Sequence, residues 1–271
     1  VWAGPLLRRL ENDRIVWWIA VSTPCDVRLE LSPEDDNGEN VSIITPEVTH
    51  LKAGENLHYL LIQARLDRKL QTGTWTGYRL ELRPVGQTDW IDHREYAPGI
   101  CYPGKDRPGF MLSENVESIL HGSCRKPHHR GEDGLVAADR LIERMLNGDK
   151  ADVAQLPDWP RLLGLTGDQV YVDDVAGPML AAIHRLIDKL GIPDEVLGCA
   201  DQPELQTTAD LYTCDDSFYR RHQLLPRSQR SLIESIFGGA RKPVFTSDNA
   251  DNHLISLGEV LAIYLLVWSP T

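Results

Sequence analysis

Short runs in the first third of the chain place an apolar residue at every second position. Four runs show this alternation: Ile15, Trp17, Ile19 and Val21; Val27, Leu29 and Leu31; Leu60, Ile62, Ala64 and Leu66; and Tyr78, Leu80 and Leu82. A period of two is typical of strands that bury one face. Clusters of turn-forming residues, such as the stretch from Pro33 to Asn40, separate the runs. The pattern predicts an antiparallel β-sandwich over residues 1–95, of the immunoglobulin or fibronectin type.

The rhythm changes after residues 96–112, which are rich in proline, glycine and charge and are predicted to be a linker. Beyond them, strands alternate with helices that repeat apolar residues every three or four positions. In chain order we predict strand Val116–Leu120, helix Leu135–Leu146, strand Leu162–Leu165, helix Met179–Leu190 and further helices at Ser228–Phe237 and Leu254–Trp268. Alternating strands and helices predict a largely parallel α/β sheet within residues 113–271. The fold class is therefore all-β followed by α/β.

The charge balance argues against polyanionic partners. Lys and Arg number 28 and Asp and Glu number 40, which gives a net charge of −12. A surface this acidic repels nucleic-acid backbones and anionic membranes. If such a chain acts on phosphate esters, cations must offset the repulsion, which points towards metals.

Neither a membrane span nor a leader peptide is predicted. The longest apolar stretch, Leu254 to Trp268, is short and contains Glu259, so a buried core segment is the better interpretation. The start shows no basic, apolar and small-residue pattern of a signal peptide. Because the chain opens with Val1 rather than methionine, its start is compatible with removal of a leader, and the sequence does not determine the localisation.

The five cysteines do not suggest a disulfide framework. Cys25, Cys101, Cys124, Cys199 and Cys214 are scattered, odd in number and without a CxxC pair, which also argues against a zinc ribbon. The ordinary role of each is a small buried apolar side chain.

Cys124 and Asp168 stand out because each follows a predicted strand, with one predicted helix between the two strands. A right-handed crossover places the carboxyl ends of neighbouring parallel strands side by side, where ligands bind in open α/β sheets. A thiolate and a carboxylate at that point suit a divalent or trivalent metal. The alternative for Asp168 is a helix cap or a turn.

Longer strings resemble the alkaline phosphatase D family of metallophosphoesterases from one end of the chain to the other. The segments GPLLR (4–8) and AGENLHY (53–59) are similar to that family's opening region, and NHLI (252–255) with LAIYLLVWSP (261–270) to a later one. GSCRK (122–126) resembles its first metal motif, in which a cysteine replaces DxH. TGDQVYVDD (166–174) resembles its second and contains the GDxxY signature of binuclear metallophosphoesterases.

The resemblance implies a site with two or three metals, iron and calcium, that hydrolyses phosphomonoesters or phosphodiesters of small molecules at alkaline pH. Cys124 would bind iron as a thiolate, Asp168 would bridge the metals, and Tyr171 of the signature is a further candidate metal ligand. Arg125 is a candidate catalytic residue that contacts phosphate through its planar fork, with a surface salt bridge as the alternative.

The chain departs from the family pattern in two respects. Lys126 occupies a position where the family uses an iron-binding tyrosine. His128 and His129 either substitute for that tyrosine as ligands or are solvated loop residues.

Four other residues have alternative roles. Asp173 and Asp174 either help to bind a second cation or form an acidic turn. Asn252 and His253 either shape the pocket wall or cap the next helix.

The second departure concerns the family's remaining metal ligands, which lie in GNHD-like and later histidine motifs beyond the region that this chain matches. The expectation is therefore an incomplete, N-terminal portion of a phosphoric ester hydrolase. The alternatives are a non-catalytic binding or scaffold protein that retains the fold, and a sugar-binding role for the sandwich over residues 1–95. The substrate, the metals and the oligomeric state are not determined by the sequence.

Overall fold

The computed structural model describes residues 1–34, 41–125, 132–148, 158–172, 175, 177–197, 205–213 and 254–269. The chain divides into two compact units. The first comprises Val1–Gln169 and Trp268–Thr271, and the second comprises Val170–Val267.

Two four-stranded antiparallel sheets make up most of the first unit. The strands are β1 (Ala3–Leu10), β2 (Arg14–Val21), β3 (Cys25–Pro33), β4 (Val41–Ile44), β5 (Glu47–Gly54), β6 (Leu57–Arg65), β7 (Trp75–Pro84) and β8 (Gly109–Met111). One sheet has the order β1-β2-β6-β5 and the other the order β4-β3-β7-β8. The antiparallel, β-rich character predicted for this region is confirmed.

The core of this unit lies between the two sheets and is built from the alternating apolar residues. Trp17 on β2 is fully buried, and its ring centroid lies 5.3 Å from that of Tyr78 on β7 and 6.4 Å from that of Phe110 on β8. Leu29 and Leu80 are also fully buried in the same cluster. Because β2 belongs to one sheet and β7 and β8 to the other, the two sheets pack face to face.

Part of the stretch predicted as a linker belongs to this sandwich. Residues 109–111 form β8, which pairs with β7, and Phe110 and Leu112 join the core. A side chain at Gly109 would place its Cβ 2.5 Å from Cζ2 of Trp75, so the close approach of β8 requires glycine there. A three-residue strand that begins with glycine is too short for its alternation to be recognised in the sequence.

A separate two-stranded sheet in the first unit contains the only parallel pairing among the described strands. β9 (Ser118–Gly122) and β10 (Pro160–Leu165) pair in parallel, with Leu165 opposite Gly122. The helix α2 (Gly134–Asn147) lies between them in the chain. The two predicted strands and the predicted helix are confirmed, whereas the larger α/β sheet remains a prediction.

The described part of the second unit is mainly helical. A short helix of the first unit, α1 (His93–Tyr96), precedes α2. In the described ranges, the second unit contains the helices α3 (Gly177–Leu190), α4 (Thr208–Thr213) and α5 (Leu257–Trp268). Leu180 and Ile183 of α3 pack with Ala262 and Ile263 of α5 in a buried cluster. The predicted helices at 179–190 and 254–268 are confirmed, and the one at 228–237 lies outside the described residues.

None of the helices in the described ranges has the length and apolarity needed to cross a bilayer.

Candidate metal centre

The parallel pairing of β9 and β10 places their carboxyl ends side by side. Backbone hydrogen bonds then continue past the strands: the N–H of Thr166 donates to the carbonyl of Gly122 at 3.1 Å, and the N–H of Cys124 donates to that of Gly167 at 3.2 Å. These bonds hold the two loops together immediately after the strands end. The side chains of residues 124 and 168 are therefore positioned by backbone contacts.

Cys124 and Asp168 meet at this point. The thiol of Cys124 donates a hydrogen bond to Oδ2 of Asp168, with a sulfur–oxygen distance of 3.3 Å. Both residues have a positive φ, 56° for Cys124 and 36° for Asp168, a conformation that is uncommon outside glycine and is concentrated at functional sites. The proximity expected from two parallel strand ends is confirmed; the metal-binding role stays a prediction.

The separation of these two atoms fits adjacent ligands of one metal ion. Metal–sulfur and metal–oxygen bonds of about 2.3 and 2.1 Å, at angles between about 90° and 109°, place the two ligand atoms roughly 3.1–3.6 Å apart. The observed 3.3 Å lies within that range. Cys124 is exposed, so the site is accessible from solvent. The described residues contain no group of three His, Cys, Asp or Glu side chains suited to a metal.

Two polar contacts flank this pair and were not singled out as site residues from the sequence. The hydroxyl of Ser123 lies 3.2 Å from Sγ of Cys124, and Nε2 of His121 lies 2.7 Å from Oγ1 of Thr166. A Cβ at position 167 would stand 2.6 Å from Oγ of Ser123, so Gly167 leaves room for that hydroxyl. In the sequence, the only signal for His121, Ser123 and Thr166 is that they lie within or next to the two motifs.

Arg125 is bound to a carboxylate of its own unit. Its Nε and Nη2 atoms donate to Oδ2 of Asp133 at 3.0 and 2.8 Å. Asp133 also caps α2, because its Oδ1 accepts a hydrogen bond from the N–H of Leu135 at 3.0 Å. The hydrogen bond from Arg125 lowers the pKa of Asp133. The contact agrees with the salt-bridge alternative for Arg125, and its role in catalysis stays a prediction.

We expect Asp133→Ala to lower the free energy of unfolding of the first unit by about 1 kcal/mol at neutral pH, since it removes a helix cap. Asp133→Asn retains a capping oxygen but loses the ion pair with Arg125. Because the pKa of Asp133 is lowered by folding, its stabilising effect is present above its unfolded value of about 4 and is lost as the pH falls through the folded value. Urea denaturation at several pH values measures this. A difference between wild type and Asp133→Asn that is the same at pH 7 and pH 3 contradicts the assignment.

The remaining candidates are Tyr171 and seven residues outside the described ranges. Tyr171 is half-buried and belongs to the second unit, and its role as a ligand stays a prediction. The candidates that lie outside the described residues are Lys126, His128, His129, Asp173, Asp174, Asn252 and His253.

Comparisons with known proteins do not assign the chain to a family. No protein-family model matches it, and no curated protein matches it. Among solved structures, one match is a DUF4426 family protein from Pseudomonas aeruginosa PAO1, which is 12% identical; the alignment covers 32% of this chain and 91% of that chain, with a TM-score of 0.16. A likeness at this TM-score carries no argument about fold or function.

Proposed function

We propose that this chain is the N-terminal portion of a metal-dependent phosphoesterase similar to the alkaline phosphatase D family, which hydrolyses phosphate mono- or diesters of small molecules. The observation that carries the proposal is the 3.3 Å separation of Cys124 Sγ and Asp168 Oδ2 at the ends of two parallel strands. A thiolate and a carboxylate at ligand spacing are a donor set suited to iron, with the carboxylate able to reach a second ion such as calcium.

The protein's own residues are proposed to bind the metals and to orient them. Metals bound there would supply Lewis-acid activation of water and of the phosphoryl oxygens. Cys124 would hold a metal as its thiolate, with its proton released to solvent, and the neighbouring Ser123 hydroxyl is placed to donate a hydrogen bond to that sulfur. Asp168 is held in position by the backbone bond between residues 124 and 167. Tyr171 is proposed as a further ligand, and Arg125 as a phosphate contact if it leaves Asp133.

Exposed apolar residues on β9 and β10 support the view that this part belongs to a larger α/β domain. Ile119 is 53% exposed, and Leu162 and Leu163 are 53% and 49% exposed. Leu162 and Leu163 are adjacent on β10, so they project from opposite faces of the pair. Parallel sheets are normally covered on both faces. Further strands and helices that cover these residues would complete the proposed domain.

The strand order supports an immunoglobulin-like type for the preceding sandwich. With the strands lettered in chain order as A, B, C, C′, D, E, F and G, the two sheets have the orders A-B-E-D and C′-C-F-G. The immunoglobulin fold also has A, B, E and D in one sheet and C, F and G in the other. The sandwich is therefore proposed to be of the immunoglobulin type and to precede the metal-binding residues in the chain.

The test of this function is metal content followed by turnover. In the full-length polypeptide, we expect Cys124→Ala and Asp168→Asn each to lower bound iron and to reduce kcat/KM on p-nitrophenyl phosphate or bis-p-nitrophenyl phosphate about 100-fold or more, since each removes a direct ligand. Metal content is measured by elemental analysis.

The matched control is Cys25→Ala, which removes a free thiol from β3 of the sandwich. It is expected to leave metal content and turnover unchanged. If Cys124→Ala and Asp168→Asn behave like this control, the site assignment is wrong.

A second candidate function is a non-catalytic binding protein that retains the metal-binding loops. The contact of Arg125 with Asp133 favours it, because that guanidinium is engaged in stabilising the start of α2. The same experiment separates the two functions. Iron that depends on Cys124 and Asp168, without hydrolysis of either ester by the full-length polypeptide, supports the second function.

A further inference from the structure

Two histidines on neighbouring strands of the sandwich lie in direct contact. Nε2 of His50 on β5 is 2.8 Å from Nδ1 of His58 on β6, and their ring centroids are 5.0 Å apart. In the antiparallel register, Lys52 lies opposite His58 and Leu60 lies opposite His50. The two histidines are therefore diagonal neighbours on one face of the sheet. His58 is 4% exposed and His50 is exposed.

The hydrogen bonds of His58 determine which of its two ring nitrogens carries the proton and which one offers a lone pair to His50. Nε2 of His58 lies 3.3 Å from the backbone carbonyl oxygen of Glu55, which can only accept a hydrogen bond. Nε2 therefore carries the proton, and Nδ1 presents its lone pair to His50. A ring N–H donated to a backbone carbonyl is also the arrangement that orients histidines bound to metals.

From this geometry we infer that His50 and His58 bind a divalent transition-metal ion, of the class of Ni²⁺, Cu²⁺ or Zn²⁺, at the edge of the sandwich. Two metal–nitrogen bonds of about 2.0–2.1 Å at angles between about 90° and 109° place the nitrogens roughly 2.9–3.4 Å apart. The observed distance is 2.8 Å, so binding requires a widening of a few tenths of an ångström and a rotation of the two rings that turns both lone pairs towards the ion.

Binding changes the tautomer of His50 without changing its charge. In the metal-free pair, the proton of His50 Nε2 is donated to Nδ1 of His58. The metal takes the place of that proton, which moves to Nδ1 of His50 through solvent, and both facing nitrogens then offer lone pairs. Water completes the coordination on the exposed side of His50. Imidazole is a preferred ligand of these metals, whereas Mg²⁺ and Ca²⁺ prefer oxygen.

The surrounding charges do not oppose a cation at this place. Lys52, which lies opposite His58, is paired with Glu55 through Nζ and Oε1 at 2.9 Å. The ammonium charge beside the pair is thus balanced by a carboxylate. This site differs from the Cys124 and Asp168 pair in both its location and its donor atoms, so the inference stands independently of the proposed function.

The test is isothermal titration of the full chain with Ni²⁺, which avoids the preference of zinc for free thiols. We expect His50→Gln to abolish one equivalent of bound Ni²⁺ or to weaken its binding at least tenfold. Lys52→Ala, which keeps both imidazoles, is the control and should retain that equivalent. Because His50 is exposed, its replacement leaves the sandwich core intact.

Two further measurements identify the place of binding. Substoichiometric Ni²⁺ should broaden the ring signals of His50 and His58 first in nuclear magnetic resonance spectra. A Cys124→Ala/Asp168→Asn double variant should retain the equivalent that depends on His50, whether or not the proposed phosphoesterase function is correct. If His50→Gln binds Ni²⁺ with unchanged stoichiometry and affinity, the inference is overturned.

Discussion

Replacing Trp17 with alanine is expected to lower the free energy of unfolding of the sandwich by about 3–5 kcal/mol, the usual cost of removing a large aromatic side chain from a core. Trp17 is fully buried, and its ring contacts Tyr78 and Phe110 on the opposite sheet. Alanine would leave a cavity between the two sheets that these neighbours fill only in part. Urea denaturation followed by far-ultraviolet circular dichroism measures the loss.

The next residue provides a matched control, because Trp18 is the same residue type on the other face of β2. It is half-buried and stacks on Tyr59, with ring centroids 5.6 Å apart. We expect Trp18→Ala to cost about 0.5–1.5 kcal/mol, the value of a partly exposed aromatic pair. Equal losses for the two tryptophans would contradict the orientation of β2 in the sandwich.

The central strands of the two sheets could be predicted because large apolar residues recur at every second position. β3, β6 and the part of β7 from Tyr78 onwards alternate between buried and less buried positions, whereas β2 is buried on both faces except at Arg14 and Trp18. These four strands occupy the central positions of the two sheets. The edge strand β5 was missed because most of its residues are exposed on both faces, so its sequence lacks alternation. β1 was missed for a similar reason, since Leu7, Arg8 and Arg9 are all exposed.

The approach of Cys124 to Asp168 could be predicted because it follows from topology. Two parallel neighbours with one crossover must present their carboxyl ends together. The partner of Arg125 could not be predicted in the same way. Its salt bridge to Asp133 depends on the path of the chain between β9 and α2, which local patterns do not specify. Local sequence patterns also do not specify the left-handed backbone conformation of Cys124 and Asp168.

The second unit contains a buried polar cluster, part of which follows from a local sequence pattern. Ser256 and Glu259 form a capping box at the start of α5: the Ser256 hydroxyl accepts from the N–H of Glu259 at 3.1 Å, and Oε2 of Glu259 accepts from the N–H of Ser256 at 3.2 Å. The spacing Ser-x-x-Glu before an apolar run predicts such a start. The partner of Glu259, His184, is 75 positions away, and no local pattern connects them.

We expect Glu259→Ala to lower the free energy of unfolding of the second unit by about 3 kcal/mol, because it leaves several buried hydrogen-bond donors without their acceptor. Glu259 is fully buried. Its Oε1 lies 2.8 Å from Nε2 of His184, and its Oε2 accepts from the N–H groups of Ile255 and Ser256 at 2.8 and 3.2 Å. Alanine leaves these three donors in an apolar environment without the acceptor that they share.

A conservative variant separates the cap of α5 from the contact with His184. Glu259→Gln retains one carbonyl oxygen for the backbone donors at the start of α5 but places an amide nitrogen where a carboxyl oxygen faces His184, so its cost should be smaller than that of alanine. Hydrogen exchange of the amides in α3 and α5 measures both variants, because these helices carry the two partners. Protection that is unchanged in Glu259→Ala would contradict the assignment. Equal losses in the two variants would mean that the contact with His184, rather than the cap, supplies the stability of this unit.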